Sequence, residues 1–102
     1  MSTKKIKVSE LPEFDMTDYL SDDKAIAQYL SVVLEENDFD EFKQALNTVA
    51  KARSMGKVAT KAKVSRVGAY KALKPESRPQ FQTIASLLNG IGLKLVVEPS
   101  AH

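Results

Sequence analysis

Two apolar stripes with the period of a helix constrain this chain more than any other feature in it. Ile26, Tyr29, Leu30, Val33 and Leu34 recur at i, i+3, i+4, i+7 and i+8. Phe42, Ala45, Leu46, Val49 and Ala50 form a second stripe after a break at Asn37-Asp38. In a strand this spacing would scatter apolar groups over both faces, whereas a helix gathers them on one side. The first stripe predicts a helix over about Asp22–Glu36, with Ser21 as a hydroxyl cap and Asp22 and Asp23 facing the free N–H groups of the first turn. Asp38, with Glu41 three residues on, has the spacing of a capping box with Asp as the cap. It opens a second helix that ends near Arg53.

Three shorter helices are expected beyond it, at about Lys57–Ala62, Ser65–Lys74 and Phe81–Leu88. Phe81, Ile84, Ala85 and Leu88 give the last one its apolar face, and Asn89-Gly90 is expected to stop it. Leu93–Glu98, before Pro99, reads as a strand. A strand alone leaves its backbone groups unpaired, so this one needs a partner. One option is the N-terminal arm, where Lys4, Ile6 and Val8 alternate before Pro12. The other is the same strand of a second copy, which makes Leu93, Leu95 and Val97 dimerisation residues. Asp15 or Thr17 caps a single short turn after the arm. The expected class is mainly α, with about five helices and a short C-terminal β-strand. Its parts are an arm at 1–12, a single helical domain at 13–98 and a tail at 99–102.

A chain of 102 residues with 43% apolar and 27% charged residues suits one modest core. No run approaches the roughly 18 apolar residues of a spanning helix, so no membrane partner is expected. The stretch MSTKKIKVSELPEF holds basic residues but no apolar run, so a cytoplasmic location without a secretory signal is expected. There is no cysteine, and the single histidine is His102, which leaves no nucleophile–base pair of the usual kind. Ser65 and Lys71 fall on different faces of a helix and cannot form a dyad. The clustered carboxylates lack the ligand spacing and central glycine of a calcium loop. No catalytic residue, metal, cofactor or small-molecule substrate is expected, and the chain does not read as an enzyme.

Charge divides the sequence. Residues 1–42 hold four Lys/Arg against eleven Asp/Glu, and residues 43–102 hold eleven against two. The net charge of +2 therefore conceals an acidic half and a basic half, each with its own field. The basic half peaks in MGKVATKAKVSRVGAYKALK, residues 55–74, with six Lys or Arg and no acid. Met55, Val58, Ala59 and Ala62 share one side of a helix. After a break at Lys63-Val64, Ser65 caps a helix whose Ala69, Ala72 and Leu73 share a face. Two short helices, small residues between them and a tight turn are the parts of a helix-turn-helix at about 56–74, whose second helix enters the major groove of DNA.

With Ala69 at the centre of the buried face, Val67, Lys71 and Lys74 fall opposite and Tyr70 on the flank. Arg66 occupies the first turn, where arginine or lysine can bond the O6 and N7 of guanine, and Val67 can meet a thymine methyl. Ser65, Arg66, Val67, Tyr70 and Lys71 are the candidate base-reading residues. Lys57, Lys61, Lys63 and Lys74 suit phosphate neutralisation, which adds affinity without sequence information. Gly68, costly inside a helix by about 1 kcal/mol, fits a place where backbone must come close to something. Tyr70 is the one aromatic of residues 55–74, which argues against a single-stranded RNA reader, since such a reader needs stacking platforms.

FDMTDYLSDDKAIAQYL, ALNTVAKARSMGKVA, VSRVGAYKAL and PQFQTIASLLNGIGLKLVV, in this order, resemble the "probable addiction module antidote protein" family. These are HigA-like antitoxins with a lambda-repressor-like helix-turn-helix, and the similarity runs from about Phe14 to Val97. The resemblance implies a small helical protein that binds and neutralises a RelE/ParE-like toxin. It also implies a homodimer that represses its own operon at a palindromic double-stranded DNA operator, with Ser65–Leu73 as the recognition helix. Such toxins are basic, so Asp15, Asp18, Asp22, Asp23, Glu35, Glu36, Asp38, Asp40 and Glu41 become candidates for toxin binding. A stand-alone helix-turn-helix regulator without a toxin is the rival reading. The sequence departs from the family pattern at Gly56, where Ser or Thr commonly caps the first motif helix, and at Lys63, where Gly commonly makes the turn. Either Lys63 adopts a left-handed conformation, at roughly 1 kcal/mol, or the turn differs.

Overall fold

The computed structural model describes residues 22–100, and the expected arm, the turn near Asp15 and Thr17, and Ser21 lie outside them. Helix α1 spans Asp23–Glu35, and its N-cap is Asp22, whose carboxylate accepts a hydrogen bond from Lys24 N at 2.9 Å. Asn37 takes a left-handed φ of 60° at the break, a conformation that asparagine tolerates better than most residues. Asp38 then caps α2, Phe39–Ala52, accepting from Glu41 N at 3.0 Å as the capping-box spacing predicts. Helices α3 (Met55–Ala62), α4 (Arg66–Ala72) and α5 (Phe81–Ile91) complete five helices among the described residues.

The predicted stripes build the core. Ile26, Leu46 and Val49 have no exposed surface, and Phe42, Ala45, Ala50, Val33 and Leu30 are buried beside them. Each large apolar side chain buried this way is worth about 1.5–3 kcal/mol against leaving it in water. Helix α1 packs on α2, and α3 packs most extensively on α5. Met55, Val58, Ala59 and Ala62 all point inward from α3, as their spacing predicts.

Two expectations at the C-terminal end are corrected. Asn89-Gly90 does not stop the last helix, which continues to Ile91 and ends on Gly92 at φ 104°. Gly90 is buried, and a Cβ there would lie 2.4 Å from the carbonyl oxygen of Val58. The glycine is thus required where α5 crosses α3 rather than where α5 ends. The buried face of α5 is correspondingly rotated. Leu87, Leu88 and Ile91 are buried, Ile84 packs at the margin, and Phe81 is 74% exposed.

The second correction concerns Leu93–Glu98, which forms no strand among the described residues. Leu93 N donates to Leu88 O at 2.9 Å and its side chain packs against the core. Beyond it, residues 94–99 make no backbone–backbone hydrogen bond with any described residue, so no strand ladder is formed among the described residues. No helix among the described residues is long and apolar enough to cross a membrane.

Candidate nucleic-acid interface

Helices α3 and α4 are set by local chemistry at three points. The first is the start of α3, where Ser54 takes φ 76° and its Oγ accepts from Lys57 N at 3.4 Å. The missing hydroxyl at Gly56 is therefore supplied two residues earlier, and the helix begins at Met55. The sequence reading, which starts the helix at about Lys57, overlooked this cap.

The second point is the turn. Lys63 sits at φ 62°, ψ 38°, in the left-handed region, which settles the alternative posed by the absent glycine. Its N–H donates to Thr60 O at 3.2 Å, and Val64 N donates to Ala59 O at 3.0 Å. These are the two backbone bonds of a Schellman closure, with partly buried Val64 as its apolar contact. The end of α5 repeats the pattern, with Gly92 N on Asn89 O at 3.0 Å and Leu93 N on Leu88 O at 2.9 Å. One closure uses glycine, and the other forces a lysine into the same conformation.

The third point is the start of α4. Ser65 is extended at φ −72°, ψ 154°, and its Oγ accepts from Gly68 N at 2.8 Å. A Cβ on Gly68 would lie 2.9 Å from that same Oγ. Gly68 accordingly makes room for the cap of its own helix, and not for an approaching backbone from elsewhere.

Ala69 and Leu73 anchor α4 in the core. This leaves Arg66, Val67, Tyr70 and Lys71 exposed, together with the cap Ser65. Lys57, Lys61, Lys63 and Lys74 are exposed around them. Lys51, from α2, places its Nζ 6.0 Å from the centre of the Tyr70 ring, within reach of a cation–π contact. All nine base-reading and phosphate candidates thus lie at the surface on α3, α4 and their flanking turns.

A residue that sequence reasoning missed holds the far end of α4. Lys43, on α2, is only 6% exposed. Its Nζ donates to the carbonyl oxygens of Lys74, Pro75 and Ser77 at 3.2, 2.9 and 2.6 Å, and lies 3.4 Å from Asp40 Oδ1. Converging carbonyl oxygens suit a cation, so the ammonium ties the loop after α4 to α2. Ser77 Oγ bonds back to Ala72 O at 2.5 Å and tightens the same loop. The available signal was a lysine beside Phe42 and three residues before Leu46, on the edge of the buried stripe.

The acidic candidates fare unevenly. Asp22 and Asp38 are helix caps, Asp23 pairs with Arg53 at 2.5 Å, and Asp40 faces Lys43. Glu35 is exposed, Glu36 and Glu41 are half-buried, and Asp15 and Asp18 lie outside the described residues. No group of three or more metal-ligating side chains occurs among the described residues.

Comparison with known proteins places this sequence in a family. The sequence model described as "Probable addiction module antidote protein" matches residues 10–99. An uncharacterized protein of Haemophilus influenzae is 33% identical over 91 residues, which are 89% of this chain and 94% of that protein. No solved structure matches the chain. With nearly its whole length inside the match, this chain belongs to the family of probable addiction module antidote proteins.

Proposed function

We propose that this chain is the antitoxin of a type II toxin–antitoxin module. In this reading it neutralises a RelE/ParE-like toxin by direct binding and represses its own operon as a homodimer on double-stranded DNA. It works by binding and catalyses no reaction. Helices α3 and α4 act as a lambda-repressor-like helix-turn-helix, with α4 in the major groove.

The observation that carries the DNA role is the exposed, acid-free basic surface at residues 55–74. It sits on two short helices joined by a three-residue turn, 63–65. Arg66 reads guanine and Val67 a thymine methyl, while Lys57, Lys61, Lys63 and Lys74 neutralise phosphates. Family membership supports the toxin role. The acidic α1–α2 junction, where the side chains of Glu35 and Glu36 make no hydrogen bond or ion pair among the described residues, suits a basic partner and would speed its encounter.

Two measurements test the reading. A duplex from upstream of the gene should bind this chain more tightly than a scrambled duplex of the same length. Co-expression of the chain with the neighbouring open reading frame should rescue growth and give a co-purifying complex. Absence of both effects overturns the reading. DNA binding with no toxin complex leaves a stand-alone regulator.

A further inference from the structure

Lys51 is a cation that neither the core nor the acidic half of the chain engages. It lies in the last turn of α2 and is exposed. The two other cations of α2 and its C-cap are engaged. Lys43 holds Asp40 and three carbonyl oxygens, and Arg53 holds Asp23 and the carbonyl oxygen of Ile91. Lys51 pairs with no carboxylate among the described residues. Its ammonium instead faces the ring of Tyr70 on α4, 6.0 Å from the ring centre. The helix dipole favours a lysine at this end of α2, which accounts for the charge but not for its seat on an aromatic face of another helix.

That seat has two consequences. A ring face attracts an ammonium without cancelling its charge, as a carboxylate would. Tyr70 stands one helical turn from Arg66 on the same flank of α4, so the contact brings an unneutralised charge from α2 to the side of the reading helix. The second consequence concerns Tyr70 itself. Aromatic side chains usually meet nucleic-acid bases by stacking, and one face of this ring is already under the ammonium. Tyr70 is 36% exposed, against 65% for Val67 on the outward side of α4, and its place suits a support better than a reader.

We propose that Lys51 of α2 is a further phosphate contact of the DNA surface, carried to the flank of α4 by the ring of Tyr70. The ring holds the ammonium and does not read bases, which makes Tyr70 a positioning residue. This contact rests on the DNA role of α3 and α4 and extends their surface onto α2, outside the basic run 55–74. A cation set there neutralises a backbone phosphate and releases about one counterion, whatever the base sequence.

Binding of the full chain to an upstream and a scrambled duplex, over a range of salt, tests this. Lys51→Met should weaken both duplexes about equally and lower the salt slope by about one. Tyr70→Phe keeps the ring and should retain the wild-type slope and preference between duplexes. Tyr70→Leu removes the support and should weaken both duplexes about two- to fivefold. In the Tyr70→Leu background, Lys51→Met should cost less than it does alone. Lys24→Met removes an exposed charge of α1 and should leave the slope unchanged. Helical circular dichroism should be the same in every variant. An unchanged slope in Lys51→Met overturns the proposal, and so does a slope lowered equally by Lys24→Met. Losses that simply multiply in the Lys51→Met/Tyr70→Leu protein overturn it too, as does a Tyr70→Phe protein that loses its preference for the upstream duplex. A wild type that binds neither duplex overturns the DNA role and this contact with it, whereas the other adverse results leave the DNA role standing.

Discussion

Lys63 and Lys43 show how much one side chain decides here. Lys63 occupies a left-handed position that glycine fills without strain, as Gly92 does in the matching closure of α5. Lys63→Gly should stabilise the chain by up to about 1 kcal/mol in urea unfolding. In the same protein DNA affinity should fall and the salt dependence of binding should flatten by about one phosphate contact. A lysine kept at a strained position is thereby tied to its charge. Lys43 is the opposite case, a charge kept inside. Lys43→Met should cost about 1–3 kcal/mol in the same measurement, because it removes the donor from the carbonyl oxygens of Pro75 and Ser77 and one of the donors to that of Lys74. Neither role is equally visible in the chain. A left-handed Lys63 could be expected from the missing glycine, whereas the acceptors of Lys43 lie more than thirty residues away and no local pattern announces them.

The elements separate what periodicity can tell from what packing decides. Helices α1, α2 and α3 bury the side chains their spacing marks, because a stripe of large apolar residues leaves only one face to turn inward. Helix α5 offers two overlapping stripes, one through Phe81, Ile84 and Leu88 and one through Ile84, Leu87 and Ile91. The crossing with α3 turns Leu87, Leu88 and Ile91 inward and leaves Phe81 outside. Gly90 belongs to that crossing, and its placement is the reason a glycine read as a stop signal lies inside the helix. Gly90→Ala should therefore destabilise the fold by about 1–3 kcal/mol, since its Cβ would meet backbone and not a movable side chain. Gly56→Ala, whose Cβ would meet only Ser54 Oγ, at 4.0 Å, should instead stabilise α3 by about 1 kcal/mol. Thermal melts of the two alanine variants should move in opposite directions. The C-terminal strand goes unformed among the described residues for a related reason. Strand propensity describes a side-chain surface, but a strand exists only when a second backbone completes the ladder.

At the scale of the molecule, the described helices put a basic edge at α3–α4 and an acidic junction between α1 and α2. The division of charge was legible because charge is additive along the chain, and the family was legible because its motifs keep their order over nearly the full length. What each carboxylate does was not, since capping and pairing claim Asp22, Asp23, Asp38 and Asp40 before any partner arrives. The basic edge has fewer competing duties, and it bears the central claim. The direct test is fluorescence anisotropy on the upstream duplex and on a scrambled duplex, over a range of salt, for the wild type, Arg66→Ala and Lys57→Ala. Arg66→Ala should lose about tenfold or more on the upstream duplex and little on the scrambled one. Lys57→Ala should weaken both about equally and lower the salt slope by about one. Equal losses on both duplexes for both variants would contradict the assignment of α4 as the reading helix.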